Sequence, residues 1–138
     1  MADKLAFELV SPEALLLSDE VDMVVLPGAE GDMGVLKGHS PTITTIRPGT
    51  ICVFEGKSVA KRLFVAGGFA EVTPDRCTVL AEEAISLDDI ETSAVEQQIK
   101  DLQDDLSIAG DDDVAKRAID QAIDVARAKL EAVSNPVY

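Results

Sequence analysis

The spacing of apolar residues changes once along this chain, near Ser86, and the change separates two kinds of secondary structure. From Leu5 to about Ala84, short runs alternate or are rich in β-branched residues, with glycine or proline turns between them. This density of short strands is typical of an antiparallel sandwich or a flattened barrel. After Ser86 the apolar residues recur with helical spacing. We therefore predict a β-sandwich over residues 1–85, followed by an α-helical hairpin over residues 88–134.

The helical part is predicted as two segments joined by an acidic turn. Asp88 and Glu91 have the spacing of a capping box. Gly110 suits the end of the first helix, and Asp111–Asp113 suit the start of the second. The apolar stripes of the two helices are Ile90, Ala94, Val95, Ile99, Leu102 and Leu106, and Ala115, Ala118, Ile119, Ala122, Ile123, Ala126, Leu130 and Val133. Two helices have little core of their own, so the hairpin is expected to dock on the sandwich, on partner subunits, or on each in turn.

Residues 27–41 contain four glycines, two prolines and the only histidine of the sequence. This composition predicts tightly turned β-structure that presents a loop. The spacing of Gly28, Gly31 and Gly34 matches neither a dinucleotide fingerprint nor a P-loop, and the neighbouring acids Glu30 and Asp32 would repel phosphate. Farther along, Gly67-Gly68 interrupts a β pattern, which predicts a bulge or a close approach of two backbones.

Composition restricts the partners of the protein. Its formal net charge is −14, and such a surface repels nucleic acid and anionic lipid but is compatible with basic protein partners. Cys52 and Cys77 are widely spaced in apolar runs, which predicts free buried thiols in a reducing compartment. No apolar run reaches the roughly 18 residues of a membrane span, and the first residues lack the pattern of a signal peptide. We expect any association with a membrane to be indirect.

No group of residues predicts catalysis, a cofactor or a metal. His39 and Ser40 are neighbours, but adjacent residues of an extended segment point apart, and no nucleophile elbow surrounds the serine. Asp111–Asp113 lack the alternating spacing of a calcium loop. We interpret His39 as a loop or interface residue and the aspartates as a solvated turn.

Two motifs resemble one known family. The run of residues 27–41, which ends in Gly-His-Ser-Pro, and the run Phe64-Val-Ala-Gly-Gly-Phe-Ala-Glu-Val72 together resemble the epsilon subunit of bacterial F-type ATP synthase, which corresponds to delta in mitochondria. The resemblance extends from about Leu5 to Leu130. It implies a non-catalytic rotor subunit, peripheral to the cytoplasmic face of the bacterial inner membrane.

The resemblance also implies partners and contact residues. The sandwich would bind the gamma subunit and rest on the c-ring, with Glu30, Gly31 and Asp32 at the tip that meets the ring. His39 would lie where the sandwich faces its rotor partners. The hairpin would fold beside the sandwich or extend toward the catalytic alpha/beta hexamer, where it acts in family members as a brake on ATP hydrolysis.

One departure from the family concerns ATP. Members that sense ATP carry Ile-Asp-x-x-Arg-Ala at the start of the first C-terminal helix. Here the acid is kept as Glu91, but Ala94 stands in place of the arginine. Arg127 and Lys129 offer cations on the second helix, yet a bidentate phosphate partner is lost. We therefore do not expect the hairpin to sense ATP.

Two other functions are compatible with the residues alone. The protein would serve equally as a free-standing acidic protein-binding module, unconnected with the synthase. A small esterase-like or ligand-binding β-protein would use Ser40 and His39. Sedimentation with membranes distinguishes the first alternative from a rotor subunit, and an activity screen addresses the second.

Overall fold

The computed structural model of the protein describes residues 4–136, which form ten strands, a short 3₁₀ turn and two helices. The strands are β1 (Leu5–Val10), β2 (Leu15–Val21), β3 (Met23–Gly28), β4 (Gly31–Val35), β5 (Thr42–Ile46), β6 (Gly49–Glu55), β7 (Ser58–Val65), β8 (Gly68–Val72), β9 (Arg76–Ala81) and β10 (Ala84–Ser86). The helices are α1 (Thr92–Ile108) and α2 (Asp113–Ser134). The protein divides into two compact units, one that ends at Leu87 and one that covers Asp88–Pro136. The predicted fold class is confirmed.

The strands follow the order β10-β7-β6-β3-β5-β8-β9-β1-β2, and β4 pairs with β3. All pairs are antiparallel except β1 with β9, in which Phe7 lies beside Cys77. This parallel pair joins the beginning and the end of the β part of the sequence. Side chains of nine strands thereby reach one core, to which Phe7, Leu26 and Ile51 contribute fully buried side chains. The core is largely aliphatic, as the low aromatic content requires.

Strand β4, at Gly31–Val35, lies in the segment that we predicted as tightly turned β-structure, and it forms a hairpin with β3. The β3–β4 register sets Val24 opposite Val35 and Gly28 opposite Gly31. Val35 is buried and Met33 packs against the core, so the segment alternates between the two faces of the sheet. Glycines at two of its five positions hid that alternation in the sequence. The turn itself consists of Ala29 and Glu30.

Gly67-Gly68 marks a close backbone approach, as predicted. A Cβ atom at Gly68 would lie 1.9 Å from the carbonyl oxygen of Leu80, and its φ is +148°. A side chain at this position would therefore collide with β9 and also strain the backbone. The glycine is required for β8 and β9 to pair at this distance.

The first helix begins later than predicted. A 3₁₀ turn occupies Leu87–Asp89, and Glu91 is the N-cap of α1 without a side-chain hydrogen bond to the helix. The capping box predicted at Asp88 and Glu91 is therefore wrong, because Asp88 belongs to a separate turn. Ile90 precedes the helix, and of the predicted stripe Val95 is buried while Ile99, Leu102 and Leu106 are half-buried.

The connection between the helices agrees with its prediction. Gly110 follows the C-cap with φ of +63°, and the carboxylate of Asp112 accepts a hydrogen bond of 3.1 Å from the backbone N–H of Ala115. These contacts end α1 and begin α2 as the general rules for helix caps describe. Along α2, Ile123, Ala126 and Ala132 are buried. Ala118 of the predicted stripe is exposed.

Candidate protein-binding surfaces

The β3–β4 hairpin ends in a tip that carries three of the four predicted interface residues. Glu30 is exposed in the turn, and Gly31 and Asp32 begin β4. A groove of about 600 Å³ runs between this tip and β5, lined by residues 28–33 and 42–45. His39 lies in the separate connection between β4 and β5. The structure thus brings Glu30, Gly31 and Asp32 together on one hairpin.

Asp32 differs from Glu30 because its carboxylate is already engaged within the protein. Oδ1 of Asp32 accepts a hydrogen bond of 2.6 Å from Nη2 of Arg47, and Nη1 of the same guanidinium donates to the carbonyl oxygen of Gly28 at 2.5 Å. The backbone N–H of Arg47 also donates to the carbonyl oxygen of Pro27 at 2.9 Å. Arg47 was not predicted as a site residue, since in sequence it marks only a turn before Pro48.

The geometry at His39 does not form a nucleophile–base pair. Nδ1 of His39 lies 2.7 Å from the backbone carbonyl oxygen of Ser40, not from its hydroxyl. The same carbonyl accepts a hydrogen bond of 2.9 Å from the hydroxyl of Thr42. This network orders the start of β5 and does not aim the imidazole at the serine hydroxyl, so it gives no support to an esterase.

The two cysteines are buried and are not joined in a disulfide, as predicted. Burial raises the pKa of both thiols, and raises that of Cys77 to about 12. A thiol with such a pKa is almost entirely protonated at neutral pH and is a poor nucleophile. Among residues 4–136, no cluster of histidine, cysteine and carboxylate side chains has the arrangement of a metal site. No helix in that range has the length and apolar character needed to span a membrane.

A row of apolar side chains crosses the outer face of the sheet, and it was not predicted from the sequence. The register places Phe69 opposite Leu80, Leu80 beside Val10, and Val10 opposite Leu15. We call these four residues the apolar row. Phe69 is 58% exposed, Leu80 47% and Leu15 57%. Such a continuous exposed set on a charged protein is typical of a surface that binds another protein.

The residues at the positions of the family's ATP-sensing motif lie at one end of the helical hairpin. Glu91 and Ala94 are exposed near the start of α1, and Arg127 is exposed in the second half of α2. Because a short connection makes the helices antiparallel, these positions and Lys129 share the end of the hairpin away from its turn. At the two motif positions near the start of α1, the structure thus presents an acid and an alanine, whose side chains carry no positive charge for phosphate.

Comparison with known proteins identifies both units. Residues 4–87 match the family model described as ATP synthase, Delta/Epsilon chain, beta-sandwich domain, and residues 91–137 match the model of the C-terminal domain of the ATP synthase epsilon chain. The protein is 54% identical to the ATP synthase epsilon chain of Rhodospirillum centenum, over 98% of this sequence and 95% of the relative. It is 48% identical to that of Rhodospirillum rubrum, over 96% and 98% of the two sequences.

The fold is also shared with a solved structure. A subunit in the Euglena gracilis mitochondrial ATP synthase assembly of OSCP, F1 and c-ring superposes with a TM-score of 0.81 at 21% identity, over 98% of this protein and 84% of that subunit. This likeness concerns the fold, whereas the two family models and the relatives establish descent. The protein belongs to the ATP synthase epsilon-chain family.

Proposed function

We propose that the protein is a non-catalytic rotor subunit of an F-type ATP synthase, which joins the gamma subunit to the c-ring. Membership of the epsilon-chain family supports this role. Solved subunits of the same fold come from assemblies described as F1/c-ring in Euglena gracilis and as central stalk/c-ring in Tetrahymena thermophila. Family membership gives no support to a free-standing acidic module. The subunit would lie at the cytoplasmic face of the bacterial inner membrane.

The apolar row is the observation that carries the proposal, and we assign it to the gamma subunit. Apolar side chains in the centre of an interface provide most of its binding energy, with aromatic residues foremost among them. Phe69 and Leu80 are directly opposite each other in the β8–β9 pair, and exposed Ile43 lies on β5, the strand paired with β8. Burial of this row against gamma would remove apolar area from water, which favours binding.

The packing of the sandwich suits a part that transmits torque. Its core joins side chains of nine strands, and close-packed interiors deform little under load. The β3–β4 tip would meet the c-ring through Glu30 and Gly31, with Asp32 beside them. His39, in the β4–β5 connection, would face the rotor partners. Rotation of the ring would then reach gamma through one stiff body.

The helical hairpin is proposed as the regulatory part. It would dock beside the sandwich or extend toward the alpha/beta hexamer and restrain ATP hydrolysis. ATP itself would not control this change, because Ala94 offers no partner for phosphate and the surrounding helix is acidic. Neither the thiols nor His39 would supply chemistry of their own, so the subunit would act only by binding.

The test is the affinity of the full-length subunit for gamma, measured by calorimetry. Phe69→Ser and Leu80→Ser should each raise the Kd about tenfold or more, because each removes a large apolar contact. Ile108→Ser is the matched control, since Ile108 is an apolar residue of the hairpin that is 80% exposed. It should leave the Kd unchanged. Equal affinities for wild type and Phe69→Ser would refute the assignment of the apolar row.

A further inference from the structure

The tip of the β3–β4 hairpin has little backbone support from the neighbouring strand. Strand β3 pairs with β5 only between Gly28 and Ile46. Two further backbone hydrogen bonds, each of 2.9 Å, run from the N–H of Ala29 to the carbonyl oxygen of Thr45 and from the N–H of Arg47 to the carbonyl oxygen of Pro27. A two-stranded hairpin has marginal stability by itself. The orientation of the tip therefore depends on side-chain contacts between the hairpin and the rest of the sheet.

The side chain of Arg47 provides these contacts. It extends from the β5–β6 connection and donates to both strands of the hairpin, to the Gly28 carbonyl on β3 and to the Asp32 carboxylate on β4. The planar guanidinium directs its donors in fixed directions, so two acceptors must lie at the matching separation to receive both bonds. One flexible ammonium group would not fix two strands in this way.

We propose that Arg47 is a positioning residue, which orients the β3–β4 tip for its contact with the c-ring. The inference rests on the proposed function, in which this tip meets the ring. Asp32 acts through Arg47 as the second anchor of the tip. Glu30 and Gly31 are then presented in one orientation at the end of the hairpin.

This role differs from a contribution to overall stability. The side chains of Arg47 and Asp32 retain 43% and 32% of their accessible surface. Exposed ion pairs contribute little to the free energy of unfolding of a whole domain. Loss of the guanidinium should therefore loosen the tip and leave the melting temperature of the sandwich unchanged.

Amide hydrogen exchange in the full-length subunit tests this distinction. In Arg47→Met the exchange rate of the Ala29 amide should rise about fivefold, because the charge-assisted bonds to Gly28 and Asp32 are absent. Arg47→Lys keeps the positive charge but lacks the planar guanidinium. The exchange rate of the Ala29 amide should therefore be intermediate in this variant. Lys4→Met is the matched control, because Lys4 bridges Asp22 and Glu55 at the opposite end of β3, at 3.0 Å from each. It should leave exchange at Ala29 unchanged.

An unchanged rate at Ala29 in Arg47→Met would overturn the proposal. So would a fall in melting temperature larger than that of Lys4→Met, since it would indicate a general structural role. If Arg47→Met does not fold, Arg47→Lys and Asp32→Asn provide the same comparison, and unchanged exchange in both would be equally decisive.

Cross-linking in the assembled synthase tests the functional part. Glu30→Cys should cross-link to the c-ring, and the background is low because Cys52 and Cys77 are buried. Adding Arg47→Met should lower the cross-linking yield and the rate of proton-driven ATP synthesis about fivefold, with the affinity for gamma unchanged. If Arg47→Met speeds exchange at the Ala29 amide but leaves the cross-linking yield and the rate of ATP synthesis unchanged, the positioning role is overturned. Absence of any cross-link with Arg47 intact would instead refute the proposed ring contact, and the exchange result would stand.

Discussion

The sandwich and the helical hairpin are stabilised in different ways. The sandwich has a connected core of sixteen buried residues, drawn from strands that are distant in sequence. Within the described part of the hairpin, the buried side chains are those of Val95, Ile123, Ala126 and Ala132. A small buried area implies a small free energy of opening. The sandwich is therefore suited to transmit force, and the hairpin to change conformation.

The largest expected effect is on the sandwich, from Gly68→Ala. The added methyl group would collide with the Leu80 carbonyl oxygen, and an alanine at this position would have a strained backbone φ. The free energy of unfolding should therefore fall by about 3–5 kcal/mol. Gly34→Ala is the control, because its Cβ would lie 3.9 Å from the sulfur of Met23, in ordinary contact. Urea unfolding followed by circular dichroism measures both. If the two variants were equally stable, the close approach of β8 and β9 would not be as described.

The second prediction separates the two units. A protein shortened to end at Leu87 should unfold cooperatively and still bind gamma, because it keeps the whole core and also β10, which pairs with β7. A peptide of residues 88–136 should lose most of its helix, since two helices with four buried residues are marginal in water. Circular dichroism and calorimetry with gamma check the two parts. Gamma binding by the peptide but not by the shortened protein would reverse the roles.

The third prediction concerns nucleotide binding by the hairpin. Calorimetric titration of the full-length subunit with ATP should detect no tight one-to-one complex below millimolar nucleotide. Ala94→Arg should strengthen binding about ten- to a hundredfold, which corresponds to one charge-assisted contact of ~1.5–3 kcal/mol. Ser93→Arg adds the same charge at the neighbouring exposed position and should have a much smaller effect. Tight binding by the unaltered subunit would show that other residues replace the arginine.

The smallest effect is a pH dependence within the sandwich. The backbone N–H of Gly56, and after it the ammonium group of Lys4, hold the pKa of Asp22 below its ordinary value. Asp22 therefore stabilises the fold fully above its unfolded pKa of about 3.9, and this contribution is lost as the pH falls through the lower folded value. The difference in urea midpoint between wild type and Asp22→Asn should shrink from pH 7 to pH 3. A constant difference would contradict the assignment.

Local patterns in the sequence were sufficient to predict the strands and helix ends at which apolar spacing, residue type and turn residues all indicate the same structure. Strand β1 alternates, β5 consists of β-branched residues, and Gly110 follows the end of α1. Strand β2 was missed because Leu15-Leu16-Leu17 does not alternate, and a register shift occurs where it pairs with β1. The start of α1 was misplaced because Asp88 and Glu91 have the spacing of a cap without its contacts.

The surfaces were harder to predict because they depend on long-range register. The apolar row exists only because Leu80 lies beside Val10 across the parallel β1–β9 pair. Arg47 contacts Gly28 and Asp32, residues 19 and 15 positions away, on a hairpin whose second strand has no visible alternation in the sequence. The hypothesis that Glu30, Gly31, Asp32 and His39 form an interface came from the family resemblance and stays a prediction.

The parallel β1–β9 pair also has a consequence for synthesis of the protein on the ribosome. Phe7 is made early, but the strand beside it is complete only when Ala81 has been added. Synthesis proceeds at roughly 5–20 residues per second, so several seconds pass before the edge of β1 can pair with β9. During that time this edge is open to pairing with other nascent polypeptides. Helices form within microseconds once their residues emerge. The first strands are therefore the part of this protein most prone to aggregation during synthesis, whereas the unit that starts at Asp88 consists of helices, which offer no strand edge to other polypeptides.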